Sequence, residues 1–153
     1  MDPEARLREL GFELPEVTDP AGAYVPAAQA GDFVFTAGQL PFEAGALNLR
    51  GKVGDAVDTD EAREAARLCA LNALAAVAAL TGSLNAISRI VKVTGFVASA
   101  PGYNGQPEVL NGASEFLGEV FGEAGLHARS AVGVAELPLD APVEVELVVM
   151  TNA

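Results

Sequence analysis

Arg129 is the only Lys or Arg after Lys92. The last 61 residues set this one cation against eight carboxylates: Glu108, Glu115, Glu119, Glu123, Glu136, Asp140, Glu144 and Glu146. A guanidinium grips a carboxylate through two parallel hydrogen bonds, a pairing that lysine cannot make. Two readings of Arg129 follow: an ion pair with Glu136, Glu144 or Glu146 on a neighbouring strand, or the binding point of a small anion. Glu144 and Glu146 alternate in a β-rich stretch, so on a strand they share one face, about 7 Å apart. Paired carboxylates divide acid and base roles when their environments separate their pKa values; alternating Glu also makes an ordinary solvated face. Tyr24 can offer a phenol to a ligand or simply pack, and Asn111 lies mid-helix among apolar neighbours. His127, the one histidine, reads as a surface or capping residue, and Cys69, the one cysteine, as an inert buried thiol. No metal-ligand spacing, no phosphate-cradling Gly loop and no G-x-S-x-G elbow is seen, so no metal or cofactor is expected.

These residues need elements to hold them. Residues 3–10 read as a short helix with Pro at its first turn and Gly11 as its stop. Residues 12–22, with Pro15, Pro20 and Gly22, read as an extended arm. Two strands are expected at 24–28 and 33–37, split by the hairpin signal Ala30-Gly31-Asp32. Residues 42–57 read as a loop with a short strand near 47–49. Asp58 followed by Glu61 is a capping box, opening a helix over 59–80 that Gly82 ends. Its alanines suit a helix lying close on a sheet. A strand over 87–98 follows, with Ile87, Val91, Val93 and Val97 as its inward face. A second helix over 107–121 carries the stripe Val109, Leu110, Ala113, Phe116, Leu117, Val120 and Phe121. Strands at 130–135 and 143–150 complete the order β-β-(β)-α-β-α-β-β. Along the last strand Val143, Val145, Leu147 and Val149 alternate with Glu144, Glu146, Val148 and Met150. Two helices cover only one face of such a sheet, so the other calls for a second copy of the chain.

Composition narrows the function. The 153 residues hold 9 basic against 21 acidic side chains, a formal charge of −12. Phosphate backbones and anionic lipid surfaces demand clustered Lys and Arg, which are lacking, so neither nucleic acid nor membrane is an expected partner. The longest unbroken apolar run, residues 73–80, is far shorter than a bilayer span. A lone cysteine and an N-terminus without a signal-peptide pattern fit a cytoplasmic protein.

Three stretches carry a family resemblance: Pro20-Ala-Gly-Ala-Tyr-Val-Pro; Gly31-Asp-Phe-Val-Phe-Thr-Ala-Gly-Gln-Leu-Pro; and Ala128-Arg-Ser-Ala-Val-Gly-Val-Ala-Glu-Leu-Pro leading into Val143-Glu-Val-Glu. In order and spacing they resemble the RidA/YjgF (endoribonuclease L-PSP) family over about residues 20–150. Lys92-Val-Thr-Gly-Phe-Val-Ala-Ser-Ala-Pro-Gly-Tyr and Val109-Leu-Asn-Gly-Ala-Ser resemble a longer branch of undefined function. The resemblance implies an α+β, chorismate-mutase-like fold: a mixed sheet with two helices on one face, in a homotrimer around a central β-barrel. Residues 1–19 would be an N-terminal helix and arm outside a core of residues 20–153.

The resemblance also implies roles. Arg129 would hold the carboxylate of a 2-imino or 2-enamino acid and Glu144 would orient water. Tyr24 would match the family's tyrosine, Asn111 its helix asparagine near the cleft, and Gly38 the glycine of its turn. Two positions depart from the family pattern: Ala37 stands where a serine is common and Ala131 where a cysteine is. The function implied is hydrolytic deamination of reactive imines at clefts between subunits. The alternatives are a non-catalytic trimer that binds small carboxylates and, disfavoured by the charge, an endoribonuclease.

Overall fold

The computed structural model of the chain describes residues 2–17, 20 and 22–152. A short helix, α1 (Pro3–Glu9), starts on Asp2, whose side chain accepts from the Ala5 N–H. Strands β1 (Ala27–Ala30) and β2 (Phe33–Thr36) form a hairpin across Gly31-Asp32, with Gly31 at φ +61°. A left-handed glycine is what a two-residue hairpin turn requires at that position. The expected strand at 24–28 is displaced: Gly22–Tyr24 bend, and pairing begins at Ala27. Residues 42–57 hold a small hairpin, β3 (Phe42–Glu43) with β4 (Ala46–Leu47), in place of one strand near 47–49. Thr18, Asp19 and Ala21, within the expected arm, lie outside the described residues.

Helix α2 (Thr59–Thr81) opens on the anticipated capping box, Asp58 and Glu61 each bonding the other's backbone N–H, and closes on left-handed Gly82. By length and composition α2 could cross a membrane, but its apolar residues from Ala62 to Val77, the half-buried Leu68 apart, are buried inside the fold. Strand β5 (Ile87–Ala98), helix α3 (Gln106–Phe121), strand β6 (Ala128–Val134) and strand β7 (Val143–Thr151) complete the chain. The five long strands form one mixed sheet in the order β1-β2-β7-β5-β6, with β5 and β6 parallel and joined through α3. Helix α2 packs over β1, β2 and β7, and α3 over β5 and β6.

The inward face of β5 differs from expectation in one place. Ile90 is buried and Val91 only half-buried, because bulges between Ile87 and Arg89 and between Ile90 and Lys92 shift the alternation. On β7 the period of two holds: Val143, Val145, Leu147 and Val149 are all buried. Among the described residues no helix covers the opposite sheet face, and Phe33, Phe35 and Val132 stand exposed on it.

Residues 2–14 are strapped across the helices. Leu7 is buried, Phe12 meets Phe116 edge-on at 5.3 Å, and Arg67 lies 4.6 Å over the Phe12 ring. Glu4 accepts from Ser83 Oγ and from the Leu84 N–H at the other end of α2.

Two glycines set the spacing of the helix layer. A Cβ on Gly112 would run into the backbone of Arg63, and one on Gly95 into the Leu110 side chain. Bare backbone at Gly112 lets α3 lie against α2, and bare backbone at Gly95 lets Leu110 settle on β5. Gly112→Ala must therefore push α2 and α3 apart. It should destabilise the protein by about 1–3 kcal/mol, the usual cost of overpacking, in urea denaturation. Gly118→Ala, at a helical glycine with open space around it, should cost nothing.

Candidate functional site

Arg129 forms no ion pair with any described carboxylate. The four ion pairs among the described residues are Arg6–Glu9, Lys52–Glu136, Arg63–Glu115 and Arg67–Glu64. The ion-pair reading of Arg129 is thereby corrected: Glu136 turns to Lys52 at 2.7 Å, and Glu144 and Glu146 point away from Arg129 on the other sheet face. Arg129 instead reaches up from the edge strand β6 to α3. Its Nη1 donates to Asn111 Oδ1 at 2.8 Å and to Ser114 Oγ at 3.2 Å, and its Nη2 makes a long contact of 3.4 Å with the Pro107 carbonyl. Asn111 and Ser114 are three apart on α3, so helical spacing alone puts both on the face above Arg129.

His127 belongs to the same cluster. Its Nδ1 lies 2.6 Å from the Gly125 carbonyl, which can only accept, so Nδ1 carries a proton. In the neutral ring Nε2 then accepts from Ser114 Oγ at 2.9 Å, which frees the Ser114 lone pairs to accept from Arg129. Sequence reasoning set His127 aside and missed Ser114; the signal for Ser114 was its i, i+3 relation to Asn111, and for His127 its place two residues before Arg129. Asn111, Ser114, Leu126, His127 and Arg129 line one groove. Of the five N–H donors of Arg129, the Nε–H and one Nη2–H have no partner among the described residues.

A second cluster lies elsewhere. Strand β2 ends at Thr36, whose hydroxyl accepts from the Leu147 N–H, and pairing with β7 resumes where Gln39 and Val145 exchange both backbone bonds. Ala37 and Gly38 arch out of the ladder between them. That arch brings Gly38 onto Glu144: a Cβ there would lie 2.7 Å from the carboxylate carbon. Tyr24, Gly38, Glu144 and Leu139 line a pocket of about 180 Å³. Burial raises the Glu144 pKa, and the like charge of Glu146 raises it further. Leu139 and Asp140, in the β6–β7 loop beside it, both take left-handed backbone, at φ 59° and 60°. Such angles cost a non-glycine residue about 1–2 kcal/mol.

The clusters are on opposite sides of the sheet. Arg129 pairs with Val93, which is buried beneath the helices, whereas Glu144 pairs with Phe96, on the uncovered face. Between them lie two strand spacings sideways, about 10 Å, and three residues along β5, about 10 Å more. Within one chain Arg129 and Glu144 cannot hold the same small molecule. Of the remaining expected residues, Ala131 packs against the core two residues beyond Arg129, and Ala37 donates its N–H to the Pro26 carbonyl. Neither is among the residues lining the two recesses.

A family model described as "YjgF/chorismate mutase-like, putative endoribonuclease" matches residues 4–150. The chain is 41% identical over 149 residues to Protein TCP17 of Trypanosoma cruzi, covering 97% of this chain and 93% of that protein. It is 32% identical over 139 residues to the 2-iminobutanoate/2-iminopropanoate deaminase of Dermatophagoides farinae, covering 91% and 94% respectively. Among solved structures, Atu1372 of Agrobacterium tumefaciens, a protein of unknown function, matches with a TM-score of 0.90 at 46% identity, over 98% of this chain and 92% of that one.

The raised Glu144 pKa has a signed consequence for stability. Above the ordinary value of 4.5 the folded chain still holds a proton that the unfolded chain has lost. Stability therefore falls as pH rises from there through the folded pKa, and stays lowered above it. Glu144→Gln removes this titration. Its melting temperature should exceed that of the unsubstituted protein at pH 7 and match it at pH 4, as read by scanning calorimetry.

Proposed function

This chain belongs to the YjgF/chorismate mutase-like family, and we propose that it hydrolyses 2-imino or 2-enamino acids at clefts where the Arg129 cluster of one copy meets the Glu144 cluster of the next. The observation that carries this reading is the free edge of Arg129. It is the one cation of an acidic half-chain, held in place by Asn111 and Ser114, with Nε–H and one Nη2–H left to donate. Two parallel donors of that kind fit a carboxylate.

The chemistry needs little more than positioning. Arg129 holds the carboxylate of R–C(=NH)–COO⁻. Glu144, a stronger base for its raised pKa, takes a proton from water as the water oxygen adds to the imine carbon. The C=N pair moves to nitrogen, which takes up a proton and gives a carbinolamine. Glu144 returns its proton to that nitrogen, the C–N bond breaks, ammonia leaves, and a hydroxyl proton departs as the 2-oxo acid forms. Tyr24 lines the pocket beside Glu144, and the bare backbone of Gly38 gives the carboxylate room to lie over its turn.

Two features support assembly. The clusters face opposite sides of one sheet, so a second copy must complete the site. The uncovered face, with Phe33 and Phe35 41% and 48% exposed, is the surface such a copy would bury. A homotrimer closing these faces around a central barrel meets both demands. Phe35→Glu should then elute as a monomer in size-exclusion chromatography and lose turnover with it, whereas a monomeric unsubstituted protein would refute the shared site.

Activity is tested by generating a 2-imino acid with an amino-acid oxidase and following its loss. Arg129→Ala should lower kcat/KM about 10²-fold or more, two charge-assisted hydrogen bonds being removed. Glu144→Gln should lower kcat about 10²–10⁴-fold. Full activity in Arg129→Ala would end the proposal. Thermal stabilisation by 2-oxo acids with no turnover would identify a carboxylate binder instead.

A further inference from the structure

The pocket beside Glu144 is built for a particular kind of side chain. Apart from Glu144, Tyr24 and Gln39, its walls are apolar, with Pro26, Leu40, Phe42, Pro138 and Leu139 among them. An apolar cavity of about 150 Å³ accepts benzene, so this pocket's 180 Å³ is on the scale of about six non-hydrogen atoms. A methyl or hydroxymethyl group would leave most of it empty. A hydroxyl or carboxylate would be stripped of water against walls that offer it few hydrogen bonds.

Leu139 is the unusual part of this wall. It is a large apolar side chain left 54% exposed in the wall of the pocket. Its backbone and that of Asp140 hold left-handed angles that only restraint from outside maintains. The restraint is visible: Arg50 Nη1 donates to the Leu139 carbonyl at 2.6 Å, and the Gly51 N–H to the Asp140 carbonyl at 2.8 Å. Two chain segments, Arg50-Gly51 and Leu139-Asp140, thus cooperate to hold one leucine in the wall of the pocket. Strained, externally braced backbone of this sort gathers at ligand clamps.

We infer, resting on the imine-hydrolase reading, that this pocket takes the substrate's side chain, that the substrate is a 2-imino acid with an apolar side chain of about four to seven non-hydrogen atoms, and that Leu139 is the specificity-determining wall. Leucine-, methionine- and phenylalanine-derived imines belong to that class; alanine- and serine-derived imines do not.

The test is a comparison of kcat/KM for imines generated in place from leucine, phenylalanine and alanine. The leucine- and phenylalanine-derived imines should be preferred at least tenfold over the alanine-derived one. Leu139→Ala should cut that preference about tenfold, within the range that a few methylenes contribute in a hydrophobic pocket, and Leu139→Met should largely restore it. Leu139→Gly, whose backbone accepts the left-handed angle freely, checks that any loss comes from the missing side chain and not from misfolding. Equal rates across the three imines, or a uniform loss in Leu139→Ala, would overturn the inference while leaving the hydrolase reading intact. If no imine is turned over, the hydrolase reading fails by itself, and binding decides the pocket. Greater thermal stabilisation by 4-methyl-2-oxopentanoate than by pyruvate, lost in Leu139→Ala, supports it; equal or absent shifts overturn it.

Discussion

The two-faced alternation of β7 is the constraint from which the rest of the molecule follows. Every second residue from Val143 to Val149 is buried beneath α2, which commits Glu144, Glu146, Val148 and Met150 to the other side. The strand lies between β2 and β5, so its register dictates theirs. A one-residue slip would place two carboxylates in the core and four apolar side chains outside it, which no local adjustment could repair. Glu144 is therefore held on the uncovered face by the burial of its neighbours, and its perturbed carboxyl is a consequence of core formation.

The same register separates the charges. Arg129 stands beside Val93 and shares its helix-covered side; Glu144 stands beside Phe96 and shares the open side. The sheet keeps the cation and the perturbed carboxylate from neutralising one another. An Arg–Glu pair inside one chain would satisfy both and leave nothing to offer a ligand. With the sheet between them, the guanidinium is steadied by neutral partners, Asn111 and Ser114, that leave part of its hydrogen-bonding edge open.

Close approach recurs wherever the chain positions one of these groups. Gly38 admits the Glu144 carboxylate over its own turn, Gly95 admits Leu110 of α3 onto β5, and Gly112 brings α3 against α2. Helix α3, seated this way, is the platform that carries Asn111 and Ser114 to Arg129. The N-terminal strap, through Leu7 and Phe12, braces the outer side of the same helix pair. Packing of small residues far from the polar groups thus determines where those groups sit.

Local and periodic information was legible in the sequence. The capping box at Asp58, the strand at 87–98, the two long helices and the inward face of β7 depend on short-range bonding and on the 3.6 and 2.0 periods, and each appears where the pattern put it. The isolated cation at Arg129 was equally plain. Other features needed the third dimension. The bulges that bury Ile90 in place of Val91 arise from pairing between distant strands. The turn of Lys52 to Glu136, and of Arg129 to Asn111, is a choice among partners that only folding brings near. The link from His127 through Ser114 depends on where α3 crosses β6. Above all, residue types could nominate Arg129 and Glu144 but not assign them to opposite faces. That assignment depends on which strands pair and in what register, a long-range property carried by no single segment of the chain.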